Sequence, residues 1–208
     1  MLNRTYGKRS GASMPESLIG SAPARRGHFV LESGHHSDLW LDLELLFLRP
    51  KLIAQSVARL SEMVRALSPD AVCGPLVEGA FVALMVASRL DVEFCYSERL
   101  ETERAEDDLF PIEYRVPHAL REQLRGKRVA IINDVISAGS AVRGTYFDLL
   151  ACGAEPIALG ALLVLGDSAA GFAEEIGIPL VSVGRRLYNL WMVSECPLCA
   201  AGTTLEGA

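Results

Sequence analysis

Between the apolar run Val129, Ala130, Ile131 and Ile132 and a helical pattern that follows stands the string Asn133-Asp134-Val135-Ile136-Ser137-Ala138-Gly139-Ser140-Ala141. Polar side chains at the end of a buried strand, then a turn of small residues opening a helix, are the parts of an anion site. Ser137, Ala138, Gly139, Ser140 and Ala141 leave room for a ligand against the backbone. Their N–H groups, at a helix N-terminus, point at whatever sits there, which suits a phosphate monoester. The two serines add hydroxyl donors. Asp134, with Asn133 beside it, can accept from sugar hydroxyls, so the ligand implied is a sugar phosphate. No Gly-Lys-Ser/Thr follows, so this is not a Walker A loop, and the three spaced glycines of a dinucleotide fingerprint are missing. The alternative is an ordinary strand-to-helix turn with Asp134 or Ser137 as N-cap. It accounts for a generic Asp-x-x-Ser-x-Gly better than for the whole string.

The elements that must position this loop alternate in type. Residues 29–42 read as strand, turn at Ser33-Gly34, strand. Pro50 suits a first helical turn, and Leu52, Ile53, Val57, Leu60, Met63, Val64 and Leu67 recur at helical spacing over 51–67. Residues 71–73 form a short buried strand closed by Gly74-Pro75, and 79–90 a helix of small residues. A strand at 92–96 leads to the charged stretch 98–108, which reads as a mobile loop, with a return strand at 112–116. After the strand and helix around the 133–141 string come strands at 157–165 and 179–183 with a helix at 169–176 between them. This order predicts an α/β fold, a mostly parallel central sheet flanked by helices, with its ligand beyond the carboxyl ends of the strands.

The bulk numbers agree. The chain has 208 residues, 50% of them hydrophobic but only 7% aromatic, which fits a Val/Leu/Ala-rich interior covered on both sheet faces. A net charge of -6 speaks against nucleic acid or an anionic membrane as partner, though not against a small phosphorylated substrate. The longest apolar run, 157–165, is too short to span a bilayer. Residues 1–20 are expected to form a tail and 21–208 one domain. The first 13 residues are basic and polar without an apolar core, so they read as a frayed tail or an early start with Met14 the true one, or as a transit segment. Five cysteines without a secretory signal predict reduced thiols in a cytoplasm.

The string from Val129 to Ala141 resembles the phosphoribosyl pyrophosphate signature of the type I phosphoribosyltransferases. The resemblance is strongest to the orotate branch. It extends to Phe29-Val-Leu-Glu-Ser33-Gly34-His-His-Ser37, to Gly74-Pro75-Leu-Val-Glu78-Gly79, to Phe94-Cys-Tyr-Ser-Glu98-Arg99, and to Cys196-Pro-Leu-Cys199-Ala-Ala-Gly. It runs from residue 27 to residue 206. It implies the family fold with a small hood and a mobile loop, and transfer of a phosphoribosyl group to orotate, giving orotidine 5-phosphate and pyrophosphate. Asn133 and Asp134 would hold the ribose hydroxyls, and Val135 and Ser137 to Ala141 would wrap the 5-phosphate. Gly74, Pro75, Glu78 and Gly79 would form the pyrophosphate loop, often of unusual peptide geometry in the family. Ser33, Gly34 and the residues after them would line the base pocket. Arg99, and Arg104 in the mobile loop, would close over pyrophosphate across a homodimer interface. Mg2+ would bridge pyrophosphate and ribose oxygens, with no protein side chain assigned to a metal.

In this chemistry, loss of pyrophosphate leaves positive charge on the ribose ring, so catalysis is positioning, stabilisation of the leaving group and exclusion of water, with no protein nucleophile. The chain departs from the family pattern at several places. Asn133 stands where an acid is usual, Glu32 where some orotate enzymes carry lysine, and 100–108 holds no lysine. No Asp-Arg pair follows the strand 161–166. These departures keep two other readings open: a phosphoribosyltransferase for a purine or other base, with Tyr188 and Trp191 as candidate stacking groups, or a non-catalytic regulatory protein that binds phosphoribosyl pyrophosphate. Cys196-x-x-Cys199 is half a zinc site if His35, His36 or another subunit completes it, a redox pair, or simply two thiols.

Overall fold

The computed structural model describes residues 24–42, 44–101 and 112–206. The expected tail 1–20 and Arg104, with most of the acidic stretch, lie outside the described residues.

The apolar runs at 71–73, 129–132 and 157–165 become the centre of a six-stranded sheet. In chain order its strands are β3 (Ala71–Pro75), β4 (Glu93–Glu101), β5 (Ile112–Arg115), β6 (Arg128–Ile136), β7 (Glu155–Leu165) and β8 (Leu180–Arg186), in the spatial order β5-β4-β3-β6-β7-β8. Only the β4–β5 pair is antiparallel. The central strands read as unbroken hydrophobic runs because both faces are covered. On one side Leu60 and Val64 of α2 (Ala54–Arg65) and Val82 and Val86 of α3 (Glu78–Leu90) pack against Val72, Ile132 and Leu162. On the other, Leu124 of α4 (His118–Leu124), Val142 and Leu149 of α5 (Ser140–Ala151) and Phe172 of α6 (Ser168–Glu175) meet Cys73, Ile131 and Leu159. Each fully buried Leu, Ile or Phe contributes about 1.5–3 kcal/mol to this sandwich.

A second, three-stranded antiparallel sheet forms a hood, from β1 (Ala24–Val30), β2 (His36–Leu41) and β9 (Leu190–Trp191), in the order β1-β2-β9. A one-turn helix α1 (Glu44–Phe47) follows β2, and another, α7 (Pro197–Ala200), lies near the end. None of the described helices is long and apolar enough to cross a membrane.

Several boundaries differ from the sequence reading. The charged stretch beginning at Glu98 is not loop at its start: β4 continues to Glu101 because β5 pairs with it, Arg99 opposite Tyr114. Likewise β6 does not stop at Ile132 but runs on through Asn133 and Asp134, held by β7 as far as the Ile136–Val164 pair. Tertiary pairing overrides local polarity in both cases. The helix α4 has too few apolar positions for the period to show. Lys51 and Leu52 belong to a 3-10 turn behind Pro50 rather than to α2.

One polar cluster fastens the end of the β4–β5 hairpin to α5. The Asp148 carboxylate accepts from Arg121 Nη1 at 2.9 and 2.7 Å and from the Val116 N–H at 2.7 Å. The carboxylate is largely buried. Removing it strands a guanidinium and a backbone donor together. Asp148→Ala should therefore cost about 2–3 kcal/mol of unfolding free energy, read from urea denaturation midpoints.

Candidate active site

The site is built where two central strands end. The turn after β3 and the turn after β6 lie side by side at the carboxyl edge, where an open α/β sheet offers a crevice. A cavity there is lined by Pro75, Leu76, Val77, Glu78 and Gly79 from the first turn and by Asn133 to Ser137 and Gly139 to Val142 from the second, with Glu32 and Tyr114 at its rim. Gly74 and Ala138 sit just behind that lining.

The first turn is fixed from β4: the Leu76 N–H donates to the Ser97 carbonyl at 2.9 Å. The Leu76–Val77 peptide is cis, an unusual peptide geometry as the resemblance implies. Gly79 is needed because a Cβ there would stand 2.1 Å from Asn133 Oδ1. Asn133 itself is held by its own strand, its Nδ2 donating to the Val135 carbonyl at 2.9 Å. An aspartate could not make that bond, since an ionised carboxylate only accepts.

The second turn leads into α5. Gly139 is the N-cap, with φ of 91°, a conformation that favours glycine, and no side chain caps the helix. The reading of Asp134 or Ser137 as an N-cap is thereby corrected: Asp134 stays in β6 and the glycine takes the cap position. The first residues of this 12-residue helix, whose leading N–H groups no side chain caps, instead line the cavity, an arrangement that suits an anion.

Asp134 is the most perturbed acid of the site. Burial first, then the nearby charges of Glu78 and Glu44, push its carboxyl up to about 7, against the opposing effect of backbone N–H donors at Val135 and Asp134. Glu32 is the other singular group. Its Oε1 accepts from Tyr114 Oη at 2.8 Å and from Ser140 Oγ at 3.2 Å, and its Oε2 is 3.9 Å from Arg99 Nη1. A carboxylate of the hood thus occupies donors at the mouth of the turn before α5. Burial, then Glu32, raises the Tyr114 hydroxyl above its ordinary range, so it stays a proton donor. Arg99 is not among the described residues lining the cavity; it stands behind two that are, opposite Tyr114 in the β4–β5 ladder and 3.9 Å from Glu32.

A second cavity adjoins the first and shares Glu32, Glu78, Asp134, Val135 and Ser137 with it. Its further walls are Leu31, Leu39, Trp40, Leu41, Leu165 and Tyr188, with Glu44 at the edge. The Tyr188 hydroxyl is buried beside Ser137 without a hydrogen bond of good geometry. The walls of this cavity carry two aromatic rings, Trp40 and Tyr188. Ser33 and Gly34 do not line it: Gly34 at φ of 80° and the Leu31 N–H bond to the His35 carbonyl fold the turn so that Ser33 is buried beneath and Leu31 and Glu32 face the cavity. Trp191 pairs with His36 in the hood sheet and does not reach the cavity lining, whereas Trp40, which the sequence reading did not single out, does.

No family model matches the chain. Among curated relatives, it is 28% identical over 180 residues to the orotate phosphoribosyltransferase of Caldanaerobacter subterraneus subsp. tengcongensis, covering 86% of this chain and 87% of that one. It is 27% identical over 194 residues to that of Wolinella succinogenes, covering 85% and 86%. Among solved structures, the orotate phosphoribosyltransferase of Aeropyrum pernix superposes with a TM-score of 0.60 at 24% identity, covering 82% of this chain and 90% of that one. The adenine phosphoribosyltransferase of Trypanosoma brucei, in complex with AMP, pyrophosphate and ribose-5-phosphate, gives 0.60 at 14% identity over 76% and 75%. The fold is that of the type I phosphoribosyltransferases, and in sequence the chain is similar to their orotate branch.

The Asp134 carboxyl yields a stability prediction. Its pKa near 7 in the fold lies above the ordinary unfolded value of about 3.9. Between those pH values the unfolded chain releases a proton that the folded chain keeps, so stability falls as pH rises through this window and the penalty is complete above it. Asp134→Asn removes the ionisation. Thermal melts should show the variant gaining several degrees in Tm over wild type at pH 8, a smaller gain at pH 5, and almost none at about pH 4.

Proposed function

We propose that this chain transfers the phosphoribosyl group of phosphoribosyl pyrophosphate to orotate, a ring nitrogen of the base replacing pyrophosphate at the anomeric carbon. The observation that carries the reading is the uncapped N-terminus of α5 beside the buried Asp134, at the divergence of β3 and β6. Sequence relatives named as orotate phosphoribosyltransferases over most of their length support it.

The division of labour follows from the walls. The N–H groups and hydroxyls of Ser137 and Ser140 hold the 5-phosphate, and Asp134 with the Asn133 carbonyl oxygen takes the ribose hydroxyls. The turn from Gly74 to Gly79 takes the pyrophosphate, with Arg99 and Arg104 assigned to its closure. Asp134 and Glu78 are hard oxygen donors facing one cavity, a set that fits Mg2+, and a cation there would offset the burial, and then the Glu78 charge, that raise Asp134. Mg2+, when bound, neutralises charge on the departing pyrophosphate. The ring of the base lies among Leu39, Trp40, Leu165 and Tyr188, and the hood strands keep water from the anomeric carbon. Phe81 and Leu84 are exposed along α3, with Leu45 and Leu48 exposed around α1, and this apolar surface supports a homodimer. Five cysteines without disulfides fit a cytoplasmic setting.

A neutral base is the second reading, and one observation favours it. The described residues lining the ring cavity include Glu32, Glu44, Glu78 and Asp134 but no lysine or arginine, a poor match for a carboxylated base. Purified protein mixed with Mg2+ and phosphoribosyl pyrophosphate should consume orotate, followed by its absorbance, and Asp134→Ala should abolish the loss. Turnover of another base but not orotate would select the second reading. Binding of phosphoribosyl pyrophosphate by calorimetry with no turnover of any base would make the protein a sensor.

Glu32 sets a further expectation. Its negative charge stands where a polyanion arrives, and an amide keeps its hydrogen-bond geometry without that charge. Glu32→Gln should lower KM for phosphoribosyl pyrophosphate roughly fivefold, about 1 kcal/mol, with kcat changed much less.

A further inference from the structure

Outside this site, two histidines of the first hairpin meet two cysteines from the end of the chain. The ligand atoms of His28, His36, Cys196 and Cys199 all lie within 4.8 Å of one another. His28 Nε2 is 2.9 Å from His36 Nδ1, 3.4 Å from Cys196 Sγ and 3.6 Å from Cys199 Sγ, and Cys199 Sγ is 3.2 Å from His36 Nδ1. A tetrahedral ion bonded at about 2.0–2.1 Å to nitrogen and about 2.3 Å to sulfur spaces its donors roughly 3.3–3.8 Å apart. We propose that these four side chains bind one Zn2+ in a closed, structural site that locks the hood to the C-terminal segment.

The proton inventory points the same way. His28 Nδ1 lies 2.8 Å from the Thr203 carbonyl oxygen, which only accepts, so Nδ1 donates there and Nε2 is the nitrogen turned to the centre. A backbone carbonyl fixing the far nitrogen is the usual support of a metal-bound imidazole. Two imidazole nitrogens and two sulfurs are a soft, mixed donor set suited to zinc and unlike the all-oxygen set offered to Mg2+. Four protein ligands leave no open position, which makes the role structural rather than catalytic.

The backbone is arranged to bring the donors together. Arg26 faces Leu39 and Phe29 faces Ser37, so Gly27 and His28 share a single opposing residue. This bulge re-aims His28 at the His36 ring, whose centroid is 4.8 Å away. β9 pairs Trp191 with His36 and so delivers the 196–199 turn to the same spot, where the Ala200 N–H donates to the Cys196 carbonyl. His28, His36 and Cys196 are buried; Cys199 is exposed and provides the entry path. A Cys196–Cys199 disulfide would use two of the four residues and leave the buried histidine pair unexplained.

The test is elemental analysis of the full chain purified without chelator, followed by Co2+ substitution after chelation under reductant. A single zinc per chain is expected. Co2+ should give the visible bands of a tetrahedral site and thiolate-to-cobalt charge transfer in the near ultraviolet. Cys196→Ser and His28→Gln should lose the metal and melt at lower temperature, while Cys152→Ala, in the main core, should keep it. Since those variants can fail to fold, Cys199→His serves as a second probe: it should retain the ion with weaker charge transfer. Folded, reduced protein that takes up neither Zn2+ nor Co2+ would overturn the proposal. So would zinc retained when both cysteines are replaced, or a Cys196–Cys199 disulfide in the protein as isolated, which would assign the pair to redox chemistry.

Discussion

β3 and β6 keep company only briefly. Their parallel pairing runs from Ala71–Val129 to Cys73–Ile131, and then each strand continues with its other neighbour, β3 with β4 to the Pro75–Ser97 pair and β6 with β7 to Ile136–Val164. Everything that could act on a substrate depends on that parting. It opens a gap in a sheet whose two faces are otherwise sealed by helices, and it does so where both strands are about to turn. The gap brings Gly79 against Asn133, buries Asp134 beside Glu78, and leaves the first N–H groups of α5 facing open space rather than a neighbouring strand.

The turn before α5 was legible in the sequence because its requirements are local. Small residues, a glycine with positive φ and a following helix lie within nine consecutive positions. The order of strands was legible for a similar reason, since unbroken apolar runs record burial on both faces. What escaped was whatever depends on residues far apart. The extension of β4 to Glu101 rests on β5, and that of β6 through Asp134 rests on β7. Which side chains of the Phe29–Ser37 segment face the cavities is decided by the bond closing Leu31 onto His35, which turns Leu31 and Glu32 toward them. His28 was passed over because nothing near it in sequence marks it; its meaning lies in a bulge and in Cys196 and Cys199, which lie 168 and 171 residues away.

The departures from the family pattern also look different in three dimensions. Asn133 is not merely an acid that has lost its charge: its amide donates within its own strand, which no carboxylate could do, and its oxygen is left against Gly79. Glu32 is not an isolated repulsive charge either, for it is held by Tyr114, Ser140 and Arg99. The cavities of this chain are nonetheless acidic, and a polyanionic substrate would bring its own cations to such a place. Charge balance at the site is thus shared between protein and ligand.

The hood joins the two ends of the described chain. Beyond the histidine and cysteine contacts, the Glu206 N–H donates to the His28 carbonyl at 2.7 Å, and His28 Nδ1 meets Thr203 across 175 positions. Contacts of such separation close late, because the chain entropy of a long loop must be spent before they form. On the ribosome, β1 and β2 are therefore made long before β9 and must wait, unpaired at their far edge, until residues 190–206 have emerged. Strands β3 to β8 can assemble in the meantime. The segment from β9 to Glu206 then completes the roof over a crevice already in place, so a nascent chain stalled before Cys196 would carry the turn before α5 and an unfastened cover.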